Sequence, residues 1–108
     1  MIVPSGSRSP LARRLRDART AKGMSQRQLG ILIGIDPSSA SPRVNQYESG
    51  RHVPDFRIAE RLADCLDVPV TYFYAEDERL AEMILAFEAL PQRKRVKALR
   101  AVQDDSLW

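Results

Sequence analysis

Apolar residues recur along this chain at three- and four-residue steps, and no alternating run suggests a strand. Leu11, Leu15 and Ala18 fall on one face of a first helix, capped by Ser9, opened by Pro10 and stopped by Gly23. Ser25 caps a second helix through SQRQ, a capping box with Gln28 at the third helical position. Met24 and Leu29 stand where a hydrophobic staple would hold its start, Leu29, Leu32 and Ile33 form its buried stripe, and Gly34 ends it. The run DPSSA reads as a turn, because Asp-Pro and consecutive serines favour local side-chain bonds over helix. Ser41 is then the N-cap and Pro42 the first residue of a third helix, which Gly50 ends. Its Val44 and Tyr47 face the core while Arg43, Asn45 and Gln46 face outward. A fourth helix after VPD buries Phe56, Ala59, Leu62, Ala63 and Leu66, and VPVTYFYA makes a short fifth.

The same rhythm continues past this point. Leu80, Met83 or Ile84, Phe87 and Leu90 form the stripe of a sixth helix, Pro91 breaks it, and QRKRVKALRAVQ makes a seventh with Val96, Leu99 and Val102 inward. The expected fold is all-α, a compact five-helix bundle over residues 9–75 with a two-helix extension over 76–108. Residues 1–8 read as a loose, flexible terminus without the apolar run of a signal peptide. Two amphipathic helices beyond a finished bundle need a partner, either that bundle itself or a second subunit. Leu80, Ile84, Phe87 and Leu99 are the candidate seam of a homodimer.

Composition narrows the possible chemistry. The 108 residues suffice for one small domain with an appendage, and no stretch is apolar and long enough to span a bilayer. One cysteine rules out an internal disulfide, and no histidine–cysteine cluster suggests zinc. A cytoplasmic protein without cofactor or metal is expected. No nucleophile stands beside a plausible base and no glycine loop cradles a phosphate, so the chain does not read as an enzyme. The net charge of +3 divides unevenly: residues 1–54 carry +6 and residues 55–108 carry −3. That split fits a polyanion-facing module with a different partner at its other end, or two ordinary solvated surfaces.

Three pieces of sequence carry a resemblance: RTAKGMSQ, the YESG that follows RVNQ, and the leucine-spaced fourth helix before DVP. Together, over about residues 11–75, the chain resembles the lambda-repressor-like, or Cro-type (Xre), helix-turn-helix family. The resemblance implies a lambda-repressor-like bundle whose third helix enters the major groove of double-stranded DNA. It implies a transcriptional regulator, expected here as a repressor that binds a near-palindromic operator as a homodimer. Aligned on YESG, the family's base-reading positions fall on Ser41, Pro42 and Gln46, with Arg43 and Asn45 alongside. Gln26 matches a backbone-anchoring position, and Ser25, Ser49 and Arg51 are further candidates for phosphate contacts. The chain departs from the pattern twice. About four residues more than the usual tight turn separate Gly34 from the third helix. Pro42 also occupies a reading position without a polar group to read with.

The resemblance further places Arg19 opposite Glu48 as a structural ion pair. A physical argument leads to the same pair. Glu48 lies at the end of the third helix, where the dipole disfavours an anion, and it follows the inward-facing Tyr47. An acid so placed needs a cation, and the planar fork of arginine suits a carboxylate. Other features have plain readings: Cys65 as a small buried side chain, His52 as a loop residue, Tyr72-Phe73-Tyr74 as core, and RKRVK as a solvated face. A second function class remains open, an antitoxin or adaptor that uses the same bundle to hold a protein partner. Salt discriminates the two, because groove binding releases counterions and weakens steeply as salt rises.

Overall fold

The computed structural model describes residues 9–108, so the terminus expected to be loose over residues 1–8 lies outside the described residues. Six α-helices and two short 3-10 turns follow one another, with no strand among the described residues. The helices are α1 Leu11–Ala21, α2 Gln26–Leu32, α3 Pro37–Glu48, α4 Phe56–Leu66, α5 Glu78–Glu88 and α6 Gln92–Gln103. The expected fifth helix is a 3-10 turn, Val70–Tyr74, which buries Tyr72 and Phe73. The core gathers Leu11, Leu15 and Ala18 of α1, Leu29 of α2, Val44 and Tyr47 of α3, and the Ala59–Leu62–Ala63–Leu66 stripe of α4. Ser25 forms its capping box with Gln28 as the sequence suggests. Gly23, Gly34 and Gly50 each take positive φ where a helix ends.

Several assignments change. The first helix starts one residue late, with Pro10 at the cap and the Leu11 amide reaching Ser9 Oγ at 3.4 Å. Leu32 ends α2 at 59% exposure, because Ile33, four residues after Leu29, takes the core position. Phe56, expected to be buried, opens α4 at 58% exposure, and the buried stripe of that helix begins a turn later at Ala59.

The largest change is in α3. Residues 37–40 are helical, not a turn; the cap is Asp36, which accepts from the Ser38 amide, and Pro37 is the first helical residue. Ser41 and Pro42 therefore lie inside the helix. Asp36-Pro37 and Ser41-Pro42 offer the same capping chemistry, and burial decides between them. Starting at Pro37 buries Ala40 completely against α2. The approach there is so close that a Cβ on Gly30 would meet the Ala40 Cβ at 2.7 Å, so only glycine fits. An interior proline costs about 3 kcal/mol relative to alanine. The carbonyl it leaves without an amide belongs to the exposed Ser38, where water can serve. The residues that looked inserted before the third helix are its first turn.

Beyond the 3-10 turn, α5 begins against the bundle: Ala81 is buried in the core, with Ile84 and Leu85 packed on it. No residue of α6 is buried, and Val96, Leu99 and Val102, expected inward, are each about half exposed. Their own bundle does not cover them. The radius of gyration is 16.0 Å, against about 13 Å for a compact domain of this length, as expected for a helix that projects.

Candidate nucleic-acid interface

Three stripes run along α3. Ala40, Val44 and Tyr47, at steps of four and three, point into the core. Ser41, Asn45 and Glu48 follow the same steps beside them and meet one side chain of α2, Gln26. Its amide nitrogen donates to Glu48 Oε1 at 3.0 Å and to Asn45 Oδ1 at 3.3 Å, and Ser41 Oγ lies 3.5 Å from its carbonyl oxygen. The third stripe faces away from the core, with Ser38, Pro42 and Ser49 exposed and Gln46 half-buried.

Behind Gln26 the clamp continues into α1. The Glu48 side chain is wholly buried, and Arg19 grips it with both branches of its fork, Nε to Oε2 at 2.5 Å and Nη2 to Oε1 at 3.0 Å. Arg19 Nη1 also donates to the Met24 carbonyl at 2.9 Å, and Arg16 Nε stands 3.5 Å from Oε1. Burial pushes the Glu48 carboxyl up, but the bonds from Arg19 and Gln26 and the charges of Arg19 and Arg16 outweigh it, and its pKa falls below the ordinary value. The Arg19 guanidinium is correspondingly raised by its bond to Glu48. Polar contacts thus fix the angle between α2 and α3, and Gly30–Ala40 fixes their distance.

The sequence-predicted residues fall into two groups. Ser25, Gln26, Ser41 and Asn45 gather where the start of α2 meets α3, and Ser25 Oγ is already engaged by the Gln28 amide at 3.0 Å. Arg43 and Arg51 are exposed and pair with no carboxylate among the described residues, as does Arg27 on α2. Ser49 caps the end of α3 with its hydroxyl on the Gln46 carbonyl, which also accepts from the His52 amide. Of the dimer candidates, Leu80 and Leu99 are half exposed, while Ile84 and Phe87 are partly covered.

Two structural arginines escaped the sequence reading. Arg16 joins the Glu48 clamp. Arg14 is 1% exposed, with Nε and Nη2 on the Ala75 carbonyl at 3.0 and 2.8 Å and Nη1 on Glu78 Oε1 at 2.6 Å. Its position, three after Leu11 and four before Ala18, was the available signal, since that spacing lies on the buried face.

Residues 10–71 match the family model of a helix-turn-helix domain. Among solved structures the chain is similar to the crystal structure of the transcriptional regulator BswR, at 43% identity and a TM-score of 0.81, covering 85% of this chain and 91% of that one. No curated protein matches.

Proposed function

We propose, because the chain belongs to the helix-turn-helix domain family, that it is a sequence-specific DNA-binding transcriptional regulator of the Cro-type (Xre) kind. In this reading α3 enters the major groove and the protein acts as a cytoplasmic repressor, occupancy of the operator being enough to exclude a competitor. The observation that carries it is α3 itself: a helix clamped to α2 by Gln26, Glu48 and Arg19, with its polar face open and Arg27, Arg43 and Arg51, which pair with no carboxylate among the described residues, on the same two helices and the loop that follows. Base edges would fall to Arg43 and Gln46 and, through the Gln26 cluster, to Ser41 and Asn45; phosphates would fall to Ser25, Gln26, Ser49 and Arg51.

Selection of bound sites from random DNA tests this, and a preferred site whose affinity falls steeply with salt is the expected result. On that site Gln46→Ala is expected to weaken specific binding by about 1–3 kcal/mol while leaving random DNA nearly unaffected. Arg51→Ala should instead weaken both uniformly and make the salt slope shallower. Equal losses on both DNAs for Gln46→Ala would remove its reading role.

The extension would supply a homodimer. Supporting this, α5 and α6 hold an apolar face open at a fixed corner: Arg95 donates to the Glu88 carbonyl at 2.7 Å and the Leu90 carbonyl at 3.0 Å, and lies over the Phe87 ring. A two-fold dimer would set half-sites roughly 34 Å apart on a near-palindromic operator. Sedimentation is expected to give a dimer at about tens of micromolar, and a monomer there would refute this assembly.

A further inference from the structure

Pro42 is the residue of α3 for which the fold has least use. It stands six residues into the helix, where its ring carries no amide for the Ser38 carbonyl and crowds it. Almost any other residue would make a better helix there. The ring adds nothing to the core in return, because Pro42 is exposed and lies opposite the Ala40–Val44–Tyr47 stripe. It therefore occupies the centre of the outward face, with Ser38 a turn before it and Gln46 a turn after.

We propose that the Pro42 ring is a base reader that seats on the C5-methyl group of one thymine in each half-site. The inference rests on the reading of α3 as the groove-entering helix and deepens it. The major groove presents one apolar feature, the thymine methyl, and an apolar side chain recognises it by contact. Proline suits the task for the reasons that make it a poor helix residue. Its ring is rigid, so little freedom is lost when it docks. It has no polar side-chain atom that a mismatched base could leave stranded. Cytosine carries only hydrogen at the same carbon and would leave a gap under the ring. The contact is worth about one buried methyl group, which corresponds to roughly a three- to tenfold difference in affinity.

The test uses the full chain and the operator obtained by selection from random DNA. Each thymine is replaced in turn by deoxyuridine, which removes the methyl and keeps every hydrogen-bonding group. Binding is measured for the wild type and for Pro42→Ser. One thymine per half-site is expected at which deoxyuridine weakens the wild type about three- to tenfold while leaving Pro42→Ser unaffected. The variant should also melt at a higher temperature, having lost the helix-interior proline, so its lost selectivity cannot come from unfolding. The proposal is overturned if no thymine is methyl-sensitive in the wild type, or if Pro42→Ser keeps the same sensitivity at every position. A selection that yields no preferred site would sink the groove reading itself and this inference with it.

Discussion

Replacing Arg19 with methionine is expected to cost about 3 kcal/mol of stability, at the lower end of the roughly 3–5 kcal/mol typical of breaking a buried ion pair. The Glu48 side chain has no exposed surface, so the carboxylate cannot turn to water when its fork-shaped partner is gone. Gln26 and Arg16 remain within reach, which is why the cost stays at the low end. Changing Arg19→Met and Glu48→Leu together should recover most of the loss, since removing both charges strands neither. Denaturant midpoints of the two single variants and the double variant decide the matter. Single variants that unfold at the wild-type concentration would mean that α3 owes its angle to Val44, Tyr47 and Ala40 alone.

The same pair sets an acid limit. The folded-state pKa of Glu48 lies below its ordinary value, so the folded state holds its proton less tightly than the unfolded chain does. Its contribution is complete above the unfolded carboxylate value of about 4.3 and is lost as pH falls through the folded value. Glu48→Gln should therefore start less stable at neutral pH and lose less stability on acidification below about pH 4.

What the sequence disclosed and what it concealed differ for physical reasons. Leu11, Leu15, Leu29, Val44 and the α4 stripe were readable because aliphatic residues at helical steps have one cheap place to go. The resemblance and the dipole argument both pointed to Arg19 and Glu48, which the structure brings together. The start of α3 was ambiguous because two Asp/Ser-Pro pairs compete locally, and the deciding contact, Ala40 on Gly30, joins residues of different helices. Arg14 was hidden by its charge. Arginine at a core position reads as an interruption of the stripe until the buried carbonyl that needs it, 61 residues away, is known. Gln46 and Arg43 were readable as outward-facing from the helical steps, whereas Pro42 was expected as the first residue of α3 because its place in the middle of the helix depends on that same tertiary contact.

Arg14 itself supports the second large expectation. Arg14→Met should cost about 2–4 kcal/mol, of which a buried acceptor left unpaired accounts for about 1–3 and the loss of the cation from an aromatic face for roughly 1 more. The acceptor is the Ala75 carbonyl, on a residue 5% exposed and held by both Nε and Nη2. The aromatic face is Tyr72, whose centroid lies 5.6 Å from the guanidinium carbon. Glu78 contributes differently. Its bond to Arg14 lowers its pKa, yet its side chain is 64% exposed and water can replace the arginine. Glu78→Gln should thus leave the denaturant midpoint nearly unchanged, which separates the backbone bonds from the ion pair. Arg14→Lys keeps the charge but cannot reach the carbonyl with two parallel donors, so it should fall close to methionine. If lysine instead restored full stability, charge would be what matters at this position, and the grip on Ala75 would be incidental. If the fork decides, Arg14 also helps set the direction in which α5 leaves the bundle, because it binds the Ala75 and Glu76 carbonyls and Glu78 from α1, with Arg13 adding only a 3.3 Å contact to the exposed Glu78 carboxylate.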